Sequence, residues 1–132
     1  MRILEDFKFE LEEDTKIDEI NLLDKQMMLP AIKHKWVARL IFYKRELNSL
    51  LRKKKEMREA VVQNLEKEGI PPGLPKSSLD RKIDSSTPMI KIQEQIEDTE
   101  IIIQYLEKIE NIFKTMTYDF KNIVDISRME TT

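Results

Sequence analysis

The chain is 132 residues long, with 36% Asp, Glu, Lys and Arg, only two glycines and no cysteine. That length fits one domain, and so much charge with so little glycine favours long helices over a mixed fold, stabilised by association with copies of itself or with a partner. Without cysteine there are no disulfides or thiolate metal sites, and no apolar run approaches the roughly 18 to 20 residues of a membrane span; with no signal peptide evident, a cytosolic protein is expected.

The formal net charge of −2 conceals strong segregation. Residues 1–30 carry four Lys/Arg against nine Asp/Glu, residues 31–58 carry ten against two, and residues 59–132 carry nine against fourteen. A basic element flanked by acidic ones is the footprint of a polyanion site, although the same helix can pair with the chain's own acids.

In chain order, residues 1–29 form an acidic N-terminal arm. Ile3, Leu4, Phe7, Phe9 and Leu11 among acids predict a short helix over the first sixteen residues, and Asp18 is placed to cap a second helix through Leu29. Pro30 either starts a new helix at its first position or kinks a continuous one. The basic helix then occupies residues 30–68, with a near-heptad seam of Trp36, Leu40, Tyr43, Leu47, Leu50, Lys54, Met57 and Val61. Gly69 is a natural helix terminator, and Pro71, Pro72, Gly73 and Pro75 predict a loop over residues 69–87. Thr87 and Pro88 read as the cap and first turn of a second long helix, 88–129. Its stripe runs Ile92, Ile96, Ile103, Leu106, Ile109, Phe113, Met116, Phe120, Ile123 and Val124. Ile101 and Ile112 fall outside it, so this helix offers more apolar surface than one hairpin partner needs. Ile109, Phe113, Met116, Phe120, Ile123 and Val124 are accordingly expected to join subunits, with packing inside the chain as the alternative. The expected fold is all-α: two long amphipathic helices, a Pro-rich connecting loop and a short N-terminal helical arm, in one domain that oligomerises.

Catalysis is not expected. The only histidine, His34, sits between lysines with no second ligand for a metal and no nucleophile. Acid pairs such as Glu12–Glu13 and Glu97–Asp98 are ordinary surface features, and no Gly-rich phosphate loop is present. No catalytic residue, metal or cofactor is assigned.

What remains is the run Arg52, Lys53, Lys54, Lys55 within "LLRKKKEMR". On a wheel of about 100° per residue, Lys44, Arg45, Arg52 and Lys55 share the face opposite the seam. Lys54 falls on the seam itself, either fixing register as a lone polar residue or marking the seam's end and lying exposed; the second reading is preferred. The candidate phosphate contacts are Lys33, Lys35, Arg39, Lys44, Arg45, Arg52, Lys53, Lys54, Lys55 and Arg58. Among nearby aromatics, Trp36 and Tyr43 lie on the apolar stripe and are read as core, which leaves Phe42 as the candidate for stacking a base. The competing function is a coiled-coil adaptor whose basic helix docks an acidic protein.

"MRILEDF" at the start, "HKW" ending at Trp36, "KRE" at Lys44 to Glu46 and "FKTMTYDFKNIVDI" near the C-terminus resemble the UvsY-type recombination mediators of T-even-like phages. The resemblance spans both helical regions and fades across the Pro-rich middle. It implies a ring assembled through the C-terminal helix, most often a heptamer, that binds single-stranded DNA in the host cell cytoplasm. It further implies loading of a RecA-type phage recombinase onto DNA covered by the phage single-strand-binding protein. One departure stands out: the family's Lys-x-Arg pair falls on Glu59 and Val61 here.

Overall fold

A computed structural model of the chain describes residues 2–17, 20–69 and 75–131, without the side chains of 117–125, 127, 128, 130 and 131. Among the described residues there are four α-helices and no strand: α1 (Arg2–Thr15), α2 (Leu22–Lys67), α3 (Lys76–Asp84) and α4 (Thr87–Thr131). The acidic arm is helical as expected, and the proposed cap Asp18 lies outside the described residues. Helix α2 runs continuously through Pro30, so proline removes one backbone donor inside a helix rather than starting a new one. It ends where glycine permits: Gly69 has φ +74°, the left-handed conformation that a side chain disfavours, and its N–H donates to the Glu66 carbonyl at 3.2 Å.

The predicted loop over 69–87 is corrected by α3. After Pro75, which occupies the N-cap, nine residues form a helix whose Leu79 and Ile83, one turn apart, share a face. Ile83 is 1% exposed and Leu79 packs beside it, so two apolar anchors hold a segment too short and too polar to signal helix by periodicity. Residues 70–74 lie outside the described ones. Helix α4 begins at Thr87, with the Ile90 N–H donating to the Ser86 carbonyl at 3.0 Å, one residue from the expected cap.

Packing divides the chain into two units, one of Met1–Phe42 with Ile102–Thr132 and one of Tyr43–Ile101. In the first, Leu29, Ile32, Trp36 and Leu40 of α2 recur every three or four residues and are buried, as are Ile102, Ile103, Leu106, Ile109, Phe113 and Met116 of α4. Helix α1 adds Phe7, whose ring meets Trp36 edge-on at 5.6 Å between centroids. Each such side chain contributes about 1.5 to 3 kcal/mol by leaving water. Ile109, Phe113 and Met116, expected at a subunit contact, are therefore buried in the protomer itself; the side chains of Phe120, Ile123 and Val124 lie outside the description.

The second unit is built on Leu50, Ile83, Met89, Ile92 and Ile96, with Leu47, Met57, Val61, Val62, Leu65 and Leu79 packed against them. Lys54 belongs to this packed side after all. Half-buried, its Nζ donates to Gln93 Oε1 at 2.7 Å, so the seam continues past it with a polar pair in place of an apolar one.

Candidate nucleic-acid interface

The ten candidate cations separate by what their side chains meet. In the first unit, Lys35 Nζ donates to Glu10 Oε1 at 2.9 Å and Asp14 Oδ2 at 2.6 Å, while Arg39 grips both oxygens of Glu10 at 2.7 and 3.1 Å. Trp36 Nε1 donates to Asp14 Oδ2 at 2.9 Å, and the Arg39 guanidinium lies 5.0 Å from the Phe7 ring centroid and 4.7 Å from that of Trp36. The arrangement follows from sequence spacing. Glu10 and Asp14 are one turn apart on α1, Lys35 and Arg39 are one turn apart on α2, and the two ladders meet beside the aromatic pair.

The cluster shifts its own titrations. The Arg39 hydrogen bond, aided by Lys35 against the opposing effect of burial, holds the Glu10 carboxyl below its ordinary value of 4.5. Burial alone would lower Lys35, but hydrogen bonds to Asp14 and Glu10 outweigh it and raise its ammonium above 10.5. Lys35 and Arg39 thus already hold anions, both from the chain's own arm. Lys33 is half-buried on the rim of a groove in the same unit, floored by Trp36, Leu40, Leu106 and Phe113.

In the second unit, Arg58 is likewise engaged, with Asp80 Oδ1 at 2.5 Å and Asp84 Oδ1 at 3.1 Å, one turn apart on α3. Lys54 is held by Gln93. Arg45, Arg52, Lys53 and Lys55 are exposed and make no ion pair with a described residue; Lys44 is exposed too. Arg45 and Arg52, seven residues apart, share an azimuth on the helix, and Lys55 follows one turn later. Leu51, 46% exposed, lies among them. From Arg45 to Lys55 the helix advances about 15 Å, a span of a few phosphates along a strand. The departure noted in the sequence is structural as well. Val61 packs into the second core and Glu59 is an exposed acid, so neither can supply the missing cations.

Of the aromatics, Trp36 is 2% exposed and belongs to the core, whereas Phe42 is 59% exposed. The α1–α2 ionic cluster was foreshadowed only by the opposite charges of residues 1–30 and 31–58; which cations it engages is set by helix phase, which composition does not carry. Among the described residues no group of acids, histidines or cysteines is placed to hold a metal ion, and no helix is long and apolar enough to cross a membrane.

A family model described as "Recombination, repair and ssDNA binding protein UvsY" matches residues 10–132. The chain belongs to the UvsY family. Its fold is similar to crystal structures of the bacteriophage T4 recombination mediator protein UvsY. In one lattice the TM-score is 0.83 at 18% identity, covering 96% of this chain and 98% of the T4 chain. In another it is 0.81 at 20% identity, covering 98% of each. No curated protein matches in sequence. At such identities the likeness to the T4 structures is one of fold, and the exposed Arg45, Arg52, Lys53 and Lys55 of α2, without an ion-pair partner among the described residues, carry the functional argument for this chain.

Proposed function

We propose that the protein is a recombination mediator: a homo-oligomeric ring, as the family resemblance implies, that grips single-stranded DNA without sequence preference. It hands the strand to a RecA-type recombinase as the single-strand-binding protein leaves. The observation that carries this reading is the outward row of Arg45, Arg52, Lys53 and Lys55, exposed and without an acidic partner among the described residues, while the basic segment's Lys35, Arg39 and Arg58 are internally neutralised. Phosphate contacts supply affinity without reading bases, and copies in one assembly multiply a weak contact through effective concentration.

The test is the combined variant Arg45→Glu, Arg52→Glu, Lys53→Glu, Lys55→Glu, titrated against a labelled homopolymer strand over a range of salt. Loss of four phosphate contacts should flatten the slope of log K against log salt by about 3 per binding chain, at about 0.7 per contact on a single strand. Unchanged affinity and slope would remove the basis of the proposal. A second reading, an adaptor that docks an acidic protein helix, draws support from α2 already accepting Glu10 and Asp14 of α1. Unlabelled single-stranded homopolymer should displace the natural ligand of a mediator and leave an adaptor's partner in place.

A further inference from the structure

Helix α1 meets the protein with one face only. Phe7 is its one buried side chain, and Glu10 and Asp14 make its ion pairs, whereas Phe9 on the other side is 69% exposed. A helix of fourteen residues is marginal on its own, so α1 is held by this short set of contacts and opens more readily than the long helix it rests on.

What α1 covers has the chemistry of a single-strand site. Lys35 and Arg39 flank the chain's only tryptophan, with Lys35 Nζ 5.3 Å and the Arg39 guanidinium 4.7 Å from the Trp36 ring centroid. Two cations take phosphates and an indole stacks a base. With α1 in place, carboxylates fill both phosphate positions. Glu10 accepts from both terminal nitrogens of Arg39, as two oxygens of a phosphate would, and Asp14 Oδ2 accepts from Lys35 Nζ at 2.6 Å and from Trp36 Nε1 at 2.9 Å. The two acids stand four residues apart, about 6 Å along α1, a separation comparable to that of successive phosphates on an extended strand.

We propose that α1 is a tethered mimic of a DNA backbone that masks a second single-strand site at Lys35, Trp36 and Arg39. This rests on the reading above that the protein binds single-stranded DNA, and it adds a regulated site to the permanently open row of Arg45, Arg52, Lys53 and Lys55. Tethering gives the arm an effective concentration on the order of millimolar, so it holds the site against a weakly bound strand. While the arm is closed, affinity comes from the open row. Once it is displaced, two further phosphate contacts and one stacked base become available.

The test uses the full-length chain carrying Glu10→Gln and Asp14→Asn, which remove both stand-in charges and keep Phe7; an unchanged helical circular dichroism spectrum verifies folding. Titrated with a short thymidylate homopolymer, this variant should bind about tenfold more tightly than wild type at low salt. Its slope of log K against log salt should steepen by about 1.4 per chain, two contacts at about 0.7 each. A base stacked on Trp36 should quench the fluorescence of the variant and leave that of wild type nearly unchanged. Adding Lys35→Gln and Arg39→Gln should restore the wild-type slope. As a control for net charge, Glu5→Gln with Glu13→Gln removes two exposed acids of α1 and should leave slope and fluorescence as in wild type. Should the arm variant fail to fold, Glu10→Gln alone should give half the slope change. A folded arm variant with wild-type slope and fluorescence overturns the inference and leaves the open row standing as the DNA site. So does a gain that the control pair matches, or one that survives Lys35→Gln and Arg39→Gln. A wild-type protein with no affinity for the strand overturns both.

Discussion

Replacing Arg39 with alanine should damage stability and spare DNA binding, the reverse of what its place in the basic segment suggests. Its guanidinium makes two hydrogen bonds to Glu10 and lies over the rings of Phe7 and Trp36. The side chains of Arg39 and Glu10 are 29% and 36% exposed, so solvent screening limits the ion pair to about 0.5–1 kcal/mol. Two cation–π contacts add about 0.5–1 kcal/mol each, for a total near 2 kcal/mol. In a chain of this length about 4 °C per kcal/mol is expected, so thermal melting followed by helical circular dichroism at fixed protein concentration should shift down by about 8 °C. Arg39→Lys, which keeps the charge and loses the planar fork, should fall between the two. Well below the transition, single-strand affinity should stay within about twofold of wild type, whereas Arg52→Ala should weaken it and leave the melting temperature alone. The reasoning is refuted if Arg39→Ala melts within about 1 °C of wild type and loses as much affinity as Arg52→Ala.

Acid should loosen the arm: the Glu10 carboxyl is held below 4.5, so its contribution is present above that value and lost as pH falls through the folded-state pKa. Thermal melts between about pH 6 and pH 3 should show that drop, shallower in Glu10→Gln, which lacks the titrating group. Lys35 acts at the other end, stabilising up to about pH 10.5 and losing that effect as pH rises through its raised pKa, a loss that Lys35→Met should abolish in alkaline melts. Lys54→Glu should destabilise the protein by about 2 kcal/mol in urea titrations, because a carboxylate then faces Gln93 Oε1 beside Asp84, whereas Lys53→Glu and Lys55→Glu should stay within about 0.5 kcal/mol. Cutting the chain after Glu107 removes Ile109, Phe113 and Met116 from the first core, and circular dichroism should fall by more than the deleted residues account for.

The helical architecture was legible because periodicity is a long-range signal. The α2 stripe from Trp36 to Val61 and the α4 stripe from Ile92 to Met116 each repeat over many turns, and both are helices in the structure. Helix α3 was not, because Leu79 and Ile83 are its only apolar residues and two points define no period. Lys54 was misread for a related reason: a cation on a seam looks like the seam's end unless its acceptor, Gln93, is known to lie opposite. The candidate interface was legible as a segment and not as a set. Sequence places ten cations within residues 31–58 of α2, but the partners that engage Lys35, Arg39 and Arg58 come from α1 and α3, and such pairings depend on which helix faces meet. The same holds for Phe9, whose exposure follows from Phe7 turning the opposite side of α1 to the protein.

The most direct test of the mediator account is the lag before a RecA-type recombinase assembles on single-stranded DNA already covered by its single-strand-binding protein. Wild-type protein should shorten that lag in proportion to its amount until the strand is saturated, and the variant with Arg45, Arg52, Lys53 and Lys55 reversed to Glu should leave it unchanged. A lag unaffected by wild-type protein at every stoichiometry, under conditions where it binds the bare strand, would contradict the account.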